Sequence, residues 1–140
     1  MKILFAVDGS DYTKRMLAYI AAHDELLGNG HEHVFLTVVP ELSALVSREL
    51  APEILEGYFT AEAEEVFRPI RAFAEMQRWT VRLQVARGHV AAAIIDCAEQ
   101  EKPSLIVMGT HGRGVFGNLA LGSVSTNVIA GTRVPVLLIR

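Results

Sequence analysis

Residues 105–112 of the chain are LIVMGTHG, and residues 121–125 are LGSVS. The first stretch opens with four consecutive large apolar residues, Leu105–Met108, which run directly into Gly109. This pattern predicts a strand buried on both faces, as strands are in a parallel sheet. After the second stretch, Ser123–Ala130 predicts a short helix. The two stretches therefore predict a strand, a glycine-rich loop and a helix in succession.

Four other segments have the composition of strands. The runs near the start of the chain are almost entirely apolar, whereas the third alternates polar and apolar residues and indicates a strand at a sheet edge. The fourth follows Gly131, which ends the last helix. These predicted strands are Lys2–Val7 (KILFAV), Val34–Val39 (VFLTVV), Thr80–Ala86 (TVRLQVA) and Val134–Ile139 (VPVLLI).

Helices are predicted between the strands. Apolar residues at helical spacing follow the first strand, and Gly28-Asn29-Gly30 supplies a stop. Residues 41–79 are rich in Glu, Ala and Leu, and we expect Pro52 and Pro69 to break or kink the helical structure there. The predicted helices are Asp11–Leu27, Leu42–Glu49, Glu53–Met76 and Val90–Gln100, besides Ser123–Ala130.

Strands that alternate with helices define the fold class. The order predicts an α/β fold, a doubly wound five-stranded parallel sheet with helices on both faces and right-handed crossovers. The length of 140 residues suits one domain, residues 1–140, with a continuous core. In such sheets, ligands bind beyond the carboxyl ends of the strands, where the strand order reverses.

Charge is distributed unevenly along the chain. All sixteen carboxylates lie in residues 1–101, and residues 102–140 hold only the basic residues Lys102, Arg113, Arg133 and Arg140. A region without carboxylates around a glycine-rich loop suits an anionic ligand, because nothing there repels phosphate. Four basic residues are too few for a nucleic-acid-binding surface, so we expect no nucleic-acid partner.

The remaining composition excludes several classes of protein. Cys97 is the single cysteine, so no internal disulfide forms, and its apolar neighbours predict a buried, inert thiol. No segment approaches the roughly 20 apolar residues of a membrane span, so no membrane insertion is expected. We therefore expect a cytoplasmic protein.

Two familiar phosphate-binding patterns fit the glycine-rich region poorly. Residues 112–117 match G-x-G-x-x-G, the dinucleotide fingerprint, but no Asp or Glu follows Glu101 to hold a ribose. A Walker P-loop is absent from the sequence, and no lysine follows Lys102, which argues against phosphoryl transfer of that type.

A third interpretation accounts for the whole region. Gly109, Gly112 and Gly122-Ser123 form the spacing G-x2-G-x9-G-S. A glycine at a strand end allows the backbone to approach a phosphate closely, and the free amides at a helix start attract anions. The hydroxyls of Ser123 and Ser125 add polar groups to the same surface. The sequence therefore predicts a phosphate site built from backbone amides and hydroxyls.

With these motifs the chain resembles the universal stress protein family, in its ATP-binding branch. The resemblance covers nearly the whole chain, although Val90 stands where many relatives have a proline. It implies the strand order 3-2-1-4-5 of an adenine nucleotide alpha hydrolase-like fold, and ATP with Mg²⁺ as the ligand. The stretches that carry it are VDGS at 7–10, LIVMGTHG at 105–112, LGSVS at 121–125 and PVLLI at 135–139.

The resemblance also implies a set of nucleotide-binding residues. They lie at the ends of the first, second and fourth strands, in the following loop and at the start of the last helix. The implied residues are Ala6, Val7, Asp8, Val38, Met108, Gly109, Gly112, Arg113, Gly122, Ser123, Val124 and Ser125. The family implies in addition a homodimer formed through Val134–Ile139, and a nucleotide-binding regulatory function would require a protein partner that responds to the bound nucleotide.

Some residues allow two interpretations. Asp8 is either a ligand group or a turn and capping residue, and Arg113 either reaches a phosphate or is solvated. His111 has no recognisable catalytic partner, so we expect a solvent-facing loop residue and no catalytic site. His31-x-His33 has a weak metal-binding spacing, but its place beside a turn favours surface residues and no metal site.

Three functions are compatible with this sequence. The first is a nucleotide-binding regulatory protein, and the second is a slow ATPase or autokinase, in which Ser125 accepts a phosphoryl group as the resemblance suggests. The third is a structural dimer that holds no nucleotide. The sequence offers no convincing general base or catalytic lysine, and the glycine set is intact, so the first interpretation is favoured.

Overall fold

A computed structural model describes residues 1–113 and 120–140. Five parallel strands form one sheet in the order β3-β2-β1-β4-β5, as predicted. The strands are β1 (Lys2–Ala6), β2 (Glu32–Val39), β3 (Val81–Arg87), β4 (Leu105–Gly109) and β5 (Val136–Ile139). The helices are α1 (Asp11–Ala22), α2 (Asp24–Leu27), α3 (Ala44–Glu49), α4 (Pro52–Gln77), α5 (Val90–Glu101) and α6 (Ser123–Gly131).

The central strand β1 pairs with β2 on one side and with β4 on the other. Ala6, its last residue, lies opposite Leu36 of β2 and Met108 of β4. The chain therefore adds strands first in one direction and then in the other, and the reversal lies between β1 and β4. This is the switch point at which ligands bind in open α/β sheets.

The sheet buries a different apolar layer on each face. Alternate residues of a strand point to opposite faces, so Phe5 packs with α1 and α4 whereas Leu4 packs with α5 and α6. Phe5 stacks on Phe35 of β2, with ring centroids 4.6 Å apart. Burial on both faces explains why β1, β2 and β4 are nearly continuous apolar runs.

One helix prediction is wrong in detail. The helix expected at Asp11–Leu27 ends at Ala22, and α2 restarts at Asp24, because His23 leaves helical geometry with its ring Nδ1 2.8 Å from the Tyr19 carbonyl oxygen. Pro69 does not break the helix, since α4 continues through it, as the single helix predicted over Glu53–Met76 requires. Pro69 is exposed, so the carbonyl that loses its helical partner can bind water.

The expectation that His33 lies on the surface is also wrong. Strand β2 begins at Glu32, two residues before its apolar run, and His33 is only 2% exposed. Its ring stacks on Trp79 with centroids 4.4 Å apart, and its Nε2 donates to the Leu27 carbonyl oxygen at 2.8 Å. Burial lowers the pKa of His33 and favours the neutral ring.

Strand β3 lies at one edge of the sheet, as its alternating sequence predicts. Its first residues join a charged network with the neighbouring strands and α5: Arg82 bonds to both Glu101 and Glu32, and Lys2 also bonds to Glu101. Hydrogen bonds from Arg82, then from Gln84, hold the pKa of Glu101 at about 2. This charged network connects the start of β3 to β1, β2 and the end of α5.

Cys97 is half-buried, which corrects the prediction of a fully buried thiol. Its Sγ–H donates to Oε1 of Gln84 at 3.2 Å, so one side of α5 faces the polar rim beside β3. Burial raises the pKa of the thiol, which therefore stays protonated at neutral pH, in keeping with the inert role expected.

Candidate functional site

A cavity of about 530 Å³ opens at the carboxyl ends of β1, β2 and β4. Its position is that of the switch point described above. All twelve residues proposed from the sequence line it: Ala6, Val7, Asp8, Val38, Met108, Gly109, Gly112, Arg113, Gly122, Ser123, Val124 and Ser125. The fold therefore brings distant parts of the chain, 6–8, 108–113 and 122–125, to one surface.

The end of β1 forms a hydrogen-bonded turn. Oδ1 of Asp8 accepts hydrogen bonds from the Ser10 amide at 2.9 Å and from the Thr13 hydroxyl at 3.2 Å. The Thr13 oxygen in turn accepts from the amides of Asp8 and Gly9. Gly9 has a φ of +74°, a conformation that favours glycine. Asp8 is thus a turn residue through one carboxylate oxygen.

The second carboxylate oxygen of Asp8 faces the loop that follows β4. A Cβ placed on Gly112 would lie 2.8 Å from Oδ2 of Asp8, so a larger residue at 112 would displace the carboxylate. The turn role of Asp8 is therefore confirmed through Oδ1, and its role as a ligand group stays a prediction for a residue that lines the cavity.

Glycine at the end of β4 is required by packing against α1. A Cβ on Gly109 would lie 2.6 Å from the Cβ of Tyr12, a distance that side chains do not tolerate. The next residue, Thr110, is buried, and its carbonyl oxygen accepts the Gly122 amide at 2.8 Å. This bond fixes the start of α6 against the end of β4.

The first turn of α6 presents its amides to the cavity. Gly122 is the N-cap, and the amides of Ser123, Val124 and Ser125 precede the first intrahelical hydrogen bond. No acidic residue lies in this turn, so the positive end of the helix is not neutralised locally. The arrangement suits an anion.

Ser125 has a different role from Ser123. Its side chain is buried, and its hydroxyl donates to the carbonyl oxygens of Thr110 and Gly122 at 2.9 and 3.0 Å. Ser123 is exposed at the helix start. The proton of the Ser125 hydroxyl is therefore already used within the protein, where it stabilises the loop.

Arg113 lies at the mouth of the cavity. Its Nε–H donates to the main-chain oxygen of Asp8 at 2.7 Å, and its Nη1 is 3.9 Å from Oε2 of Glu62 on α4. The distribution of charge along the sequence did not predict that Arg113 would contact Asp8 and Glu62. Although residues 102–140 have no carboxylate, the fold brings Asp8 and Glu62 to the same cavity.

The opposite end of the cavity is apolar. It is formed by the end of β2 and the start of α5, and Met108 closes it from β4. The residues lining this end are Val38, Val39, Pro40, Val90, Ile94 and Met108. Sequence reasoning had named only Val38 and Met108, because the apolar spacing of α5 predicts a helix but not what its first turn contacts.

His111 also lines the cavity, where a solvent-facing residue was expected. Its Nδ1 is 3.1 Å from the Thr110 hydroxyl, and its ring lies against Tyr12, with centroids 5.5 Å apart. Within residues 1–113 and 120–140, no group of three or more His, Cys, Asp or Glu side chains is arranged to hold a metal. Residues 114–117, four of the six residues of the possible dinucleotide fingerprint, lie outside the described part of the chain.

The fold and the cavity define a doubly wound α/β protein with the start of a helix at the switch point of its sheet. The family model described as "Universal stress protein family" matches residues 1–140. The chain belongs to the universal stress protein family. Among its described helices, none combines the length and apolar character needed to cross a bilayer.

Known proteins resemble the chain along its length. A universal stress protein of Thermus aquaticus is 37% identical and covers 99% of this chain and 97% of its own. One from Methanocaldococcus jannaschii is 28% identical over 99% of this chain and 94% of its own. A solved structure of that protein has a TM-score of 0.80 at 27% identity, with the same coverage.

The structure of an Archaeoglobus fulgidus universal stress protein in complex with dAMP has the same fold. Its TM-score is 0.66 at 23% identity, and the match covers 100% of this chain and 98% of that one. At this identity the likeness is one of fold.

Proposed function

We propose that this protein is a regulator that binds ATP, together with Mg²⁺, in the cavity between β1, β4 and α6. One observation carries the proposal: a single cavity joins an apolar end, at β2 and α5, to the free amides of α6. A nucleotide has the same two halves, a flat base and a chain of phosphates. The cavity volume of about 530 Å³ lies within the range of small-molecule sites.

The base would lie at the apolar end. Val38 and Met108 approach it from β2 and β4, the strands on either side of β1, and Val90 and Ile94 close it from α5. Burying a flat aromatic ring against these side chains removes apolar surface from water. The ribose would then lie near Ala6, Val7 and Asp8.

The phosphates would lie at the start of α6. The amides of Ser123 and Val124 are free there, Gly122 allows close approach, and Arg113 supplies a guanidinium. Ser125 supports this surface by holding the carbonyls of Thr110 and Gly122.

Magnesium fits the site only together with the nucleotide. Asp8 and Glu62 line the phosphate end, and two carboxylates near a polyphosphate repel it. Mg²⁺ commonly binds to one or two carboxylates and to substrate phosphates, so Oδ2 of Asp8 and the phosphates would share it.

The Archaeoglobus protein provides support from outside the chain. It was solved with dAMP, an adenine nucleotide, which is the ligand chemistry proposed for this cavity. Because the likeness is one of fold, the argument for this chain rests on its own apolar end and its own α6 amides.

Binding is proposed in preference to catalysis because of Ser125. An autokinase that modified Ser125 would need its hydroxyl exposed to the phosphate, but the oxygen is buried and its proton is donated to carbonyl oxygens. No lysine follows Lys102 to act on the phosphates, as P-loop phosphoryl transfer requires. A slow ATPase therefore remains the less favoured function.

Isothermal titration with ATP and Mg²⁺ tests this proposal. We expect saturable heat and a rise in melting temperature, because a ligand at 100 times its Kd stabilises the native state by about 2.7 kcal/mol. Mass spectrometry of the purified protein shows whether adenine nucleotide is already bound. A stripped protein that gives no heat and no thermal shift at millimolar ATP would contradict the proposal.

The proposal includes a homodimer formed through the last strand, in a cytoplasmic protein, with a regulatory protein that recognises the nucleotide-bound state. Strand β5 is the second edge of the sheet, and unlike β3 it consists entirely of apolar residues, Val136–Ile139. An apolar edge strand readily pairs with another chain.

Replacing Leu138 with proline is expected to convert the dimer to monomer. The carbonyls of Pro135 and Ile139 bond toward β4, so by strand alternation the Leu138 amide faces away from the sheet. Proline removes that donor. Sedimentation velocity measures the result, and Leu138→Ala is the matched control, since it shortens the same side chain but keeps the amide. Equal association of the wild type and both variants would place any dimer interface elsewhere.

A further inference from the structure

Arg113 is held between β1 and α4 by two groups of unequal strength. Its Nε–H donates to the Asp8 main-chain oxygen at 2.7 Å, which is a short hydrogen bond. Its Nη1 lies 3.9 Å from Oε2 of Glu62, at the outer limit of an ion pair. A Cβ on Gly9 would lie 3.2 Å from Nη2, so the guanidinium also lies close to the backbone of the β1 turn.

The pair of Arg113 with Glu62 is easily exchanged. The side chains are 55% and 37% exposed, and ion pairs in such surroundings contribute little. A guanidinium has five N–H donors in a planar fork that matches a phosphate group. A phosphate can therefore take the Nη groups from Glu62 while the Nε bond to Asp8 stays in place.

The charges that line the cavity determine how this exchange affects phosphate binding. Among the described residues that line the cavity, Asp8 and Glu62 are the carboxylates and Arg113 is the one arginine or lysine. While Glu62 faces Arg113, it neutralises part of the charge that would attract a phosphate. It also adds a negative charge near the place where a polyphosphate must lie.

We propose that Glu62 determines ligand specificity by competing with the ligand's phosphates for Arg113. This inference rests on the proposed nucleotide function and extends it to regulation. A nucleoside without phosphate does not meet the competition, whereas a nucleoside triphosphate must break the pair between Glu62 and Arg113. Binding of the triphosphate then releases Glu62, and with it a contact between α4 and the phosphate site.

Helix α4, in the middle of the chain, contributes to the cavity although its sequence contains no ligand-binding motif. Glu62 and Val66 are one helical turn apart on α4, and both line the cavity. Val66 Cγ2 lies 3.4 Å from the position of a Cβ on Gly9, so this face of α4 adjoins the turn that holds Arg113. A change at the phosphates is thus passed to α4 by direct contact.

A double-mutant cycle tests the competition. Wild type, Glu62→Gln, Arg113→Gln and the double variant are titrated calorimetrically with adenosine, AMP and ATP at fixed Mg²⁺. We expect Glu62→Gln to tighten ATP binding by about two- to fivefold, the size expected for a weak exposed pair, and to leave adenosine binding unchanged. In the Arg113→Gln background, the same substitution should change ATP affinity less than about twofold.

Glu65→Gln is the matched control. Glu65 is exposed on the same helix and is not part of the cavity lining, so its substitution removes the same charge without touching Arg113. We expect no change in ATP affinity beyond about 1.5-fold, since salt screens distant exposed charges. An effect equal to that of Glu62→Gln would overturn the proposal, because it would show a general charge effect.

The remaining outcomes are distinct. Tighter ATP binding by Glu62→Gln that persists without Arg113 would overturn the competition and indicate direct repulsion. Wild type that binds ATP as tightly as Glu62→Gln would overturn this inference alone. If the wild type binds none of the three ligands, the result would instead contradict the proposed function.

Discussion

A Gly122→Val variant is expected to bind ATP at least about 100-fold more weakly than the wild type, a loss of about 2.7 kcal/mol. Gly122 has φ −72° and ψ 165°, which any residue adopts, so the substitution does not strain the backbone itself. A Cβ there would lie 3.3 Å from the Thr110 carbonyl oxygen and 3.4 Å from Cα of His111. The two methyl groups of valine extend further and displace the first turn of α6 from its phosphate-binding position.

Calorimetric titration measures the loss, and Gly57→Val is the matched control. Gly57 is exposed on α4, and a Cβ there would meet no atom within 4 Å. We expect this control to retain wild-type ATP affinity and melting temperature within about 3 °C. Unchanged ATP affinity in a folded Gly122→Val protein would contradict the placement of the phosphates at α6.

The same variant separates binding from hydrolysis. If the chain hydrolyses ATP at this site, phosphate release should fall with affinity in Gly122→Val but not in Gly57→Val. Equal release from all preparations would assign the activity to a contaminant. The comparison therefore tests the less favoured ATPase interpretation with the same proteins.

The fold could be predicted largely because its strands are buried on both faces. Continuous apolar runs such as Lys2–Val7 and Leu105–Met108 have few alternatives in a chain of this length, and all five strands are confirmed. The start of β2 was missed because Glu32 and His33 are polar. His33 is buried through stacking on Trp79, which is 46 positions away and invisible to a local pattern.

The cavity was predictable only in part, for a related reason. Glycines and a helix start leave a pattern along the chain, and each of the residues proposed from it lines the cavity. Glu62 leaves no such pattern, since it is one of several glutamates on a long amphipathic helix. The rotation of α4 against β1, set by Val66 and other apolar contacts, decides which glutamate faces Arg113.

A Phe5→Ala substitution is expected to lower the free energy of unfolding by about 3–5 kcal/mol, a large part of the 5–15 kcal/mol typical of a domain. Phe5 is completely buried at the centre of the sheet, where its ring stacks on Phe35 and tilts against His33. Urea denaturation followed by circular dichroism measures the change. Phe73→Ala, at a half-buried ring in edge contact with Trp79, should cost only about 1–2 kcal/mol.

Repeating the urea denaturation with ATP present tests whether the Phe5 core also affects nucleotide binding at the cavity. Phe5 precedes Ala6, the last residue of β1, and the turn residues Val7 and Asp8, and its side chain points to the face covered by α1 and α4. If the strand end keeps its geometry, saturating ATP should stabilise wild type and Phe5→Ala by the same increment, RT ln(1 + [L]/Kd). A smaller increment in the variant would show that Phe5 also positions the strand end. An increment of zero in both proteins would contradict ATP binding in the cavity. A ligand that binds only the native state must raise the free energy of unfolding.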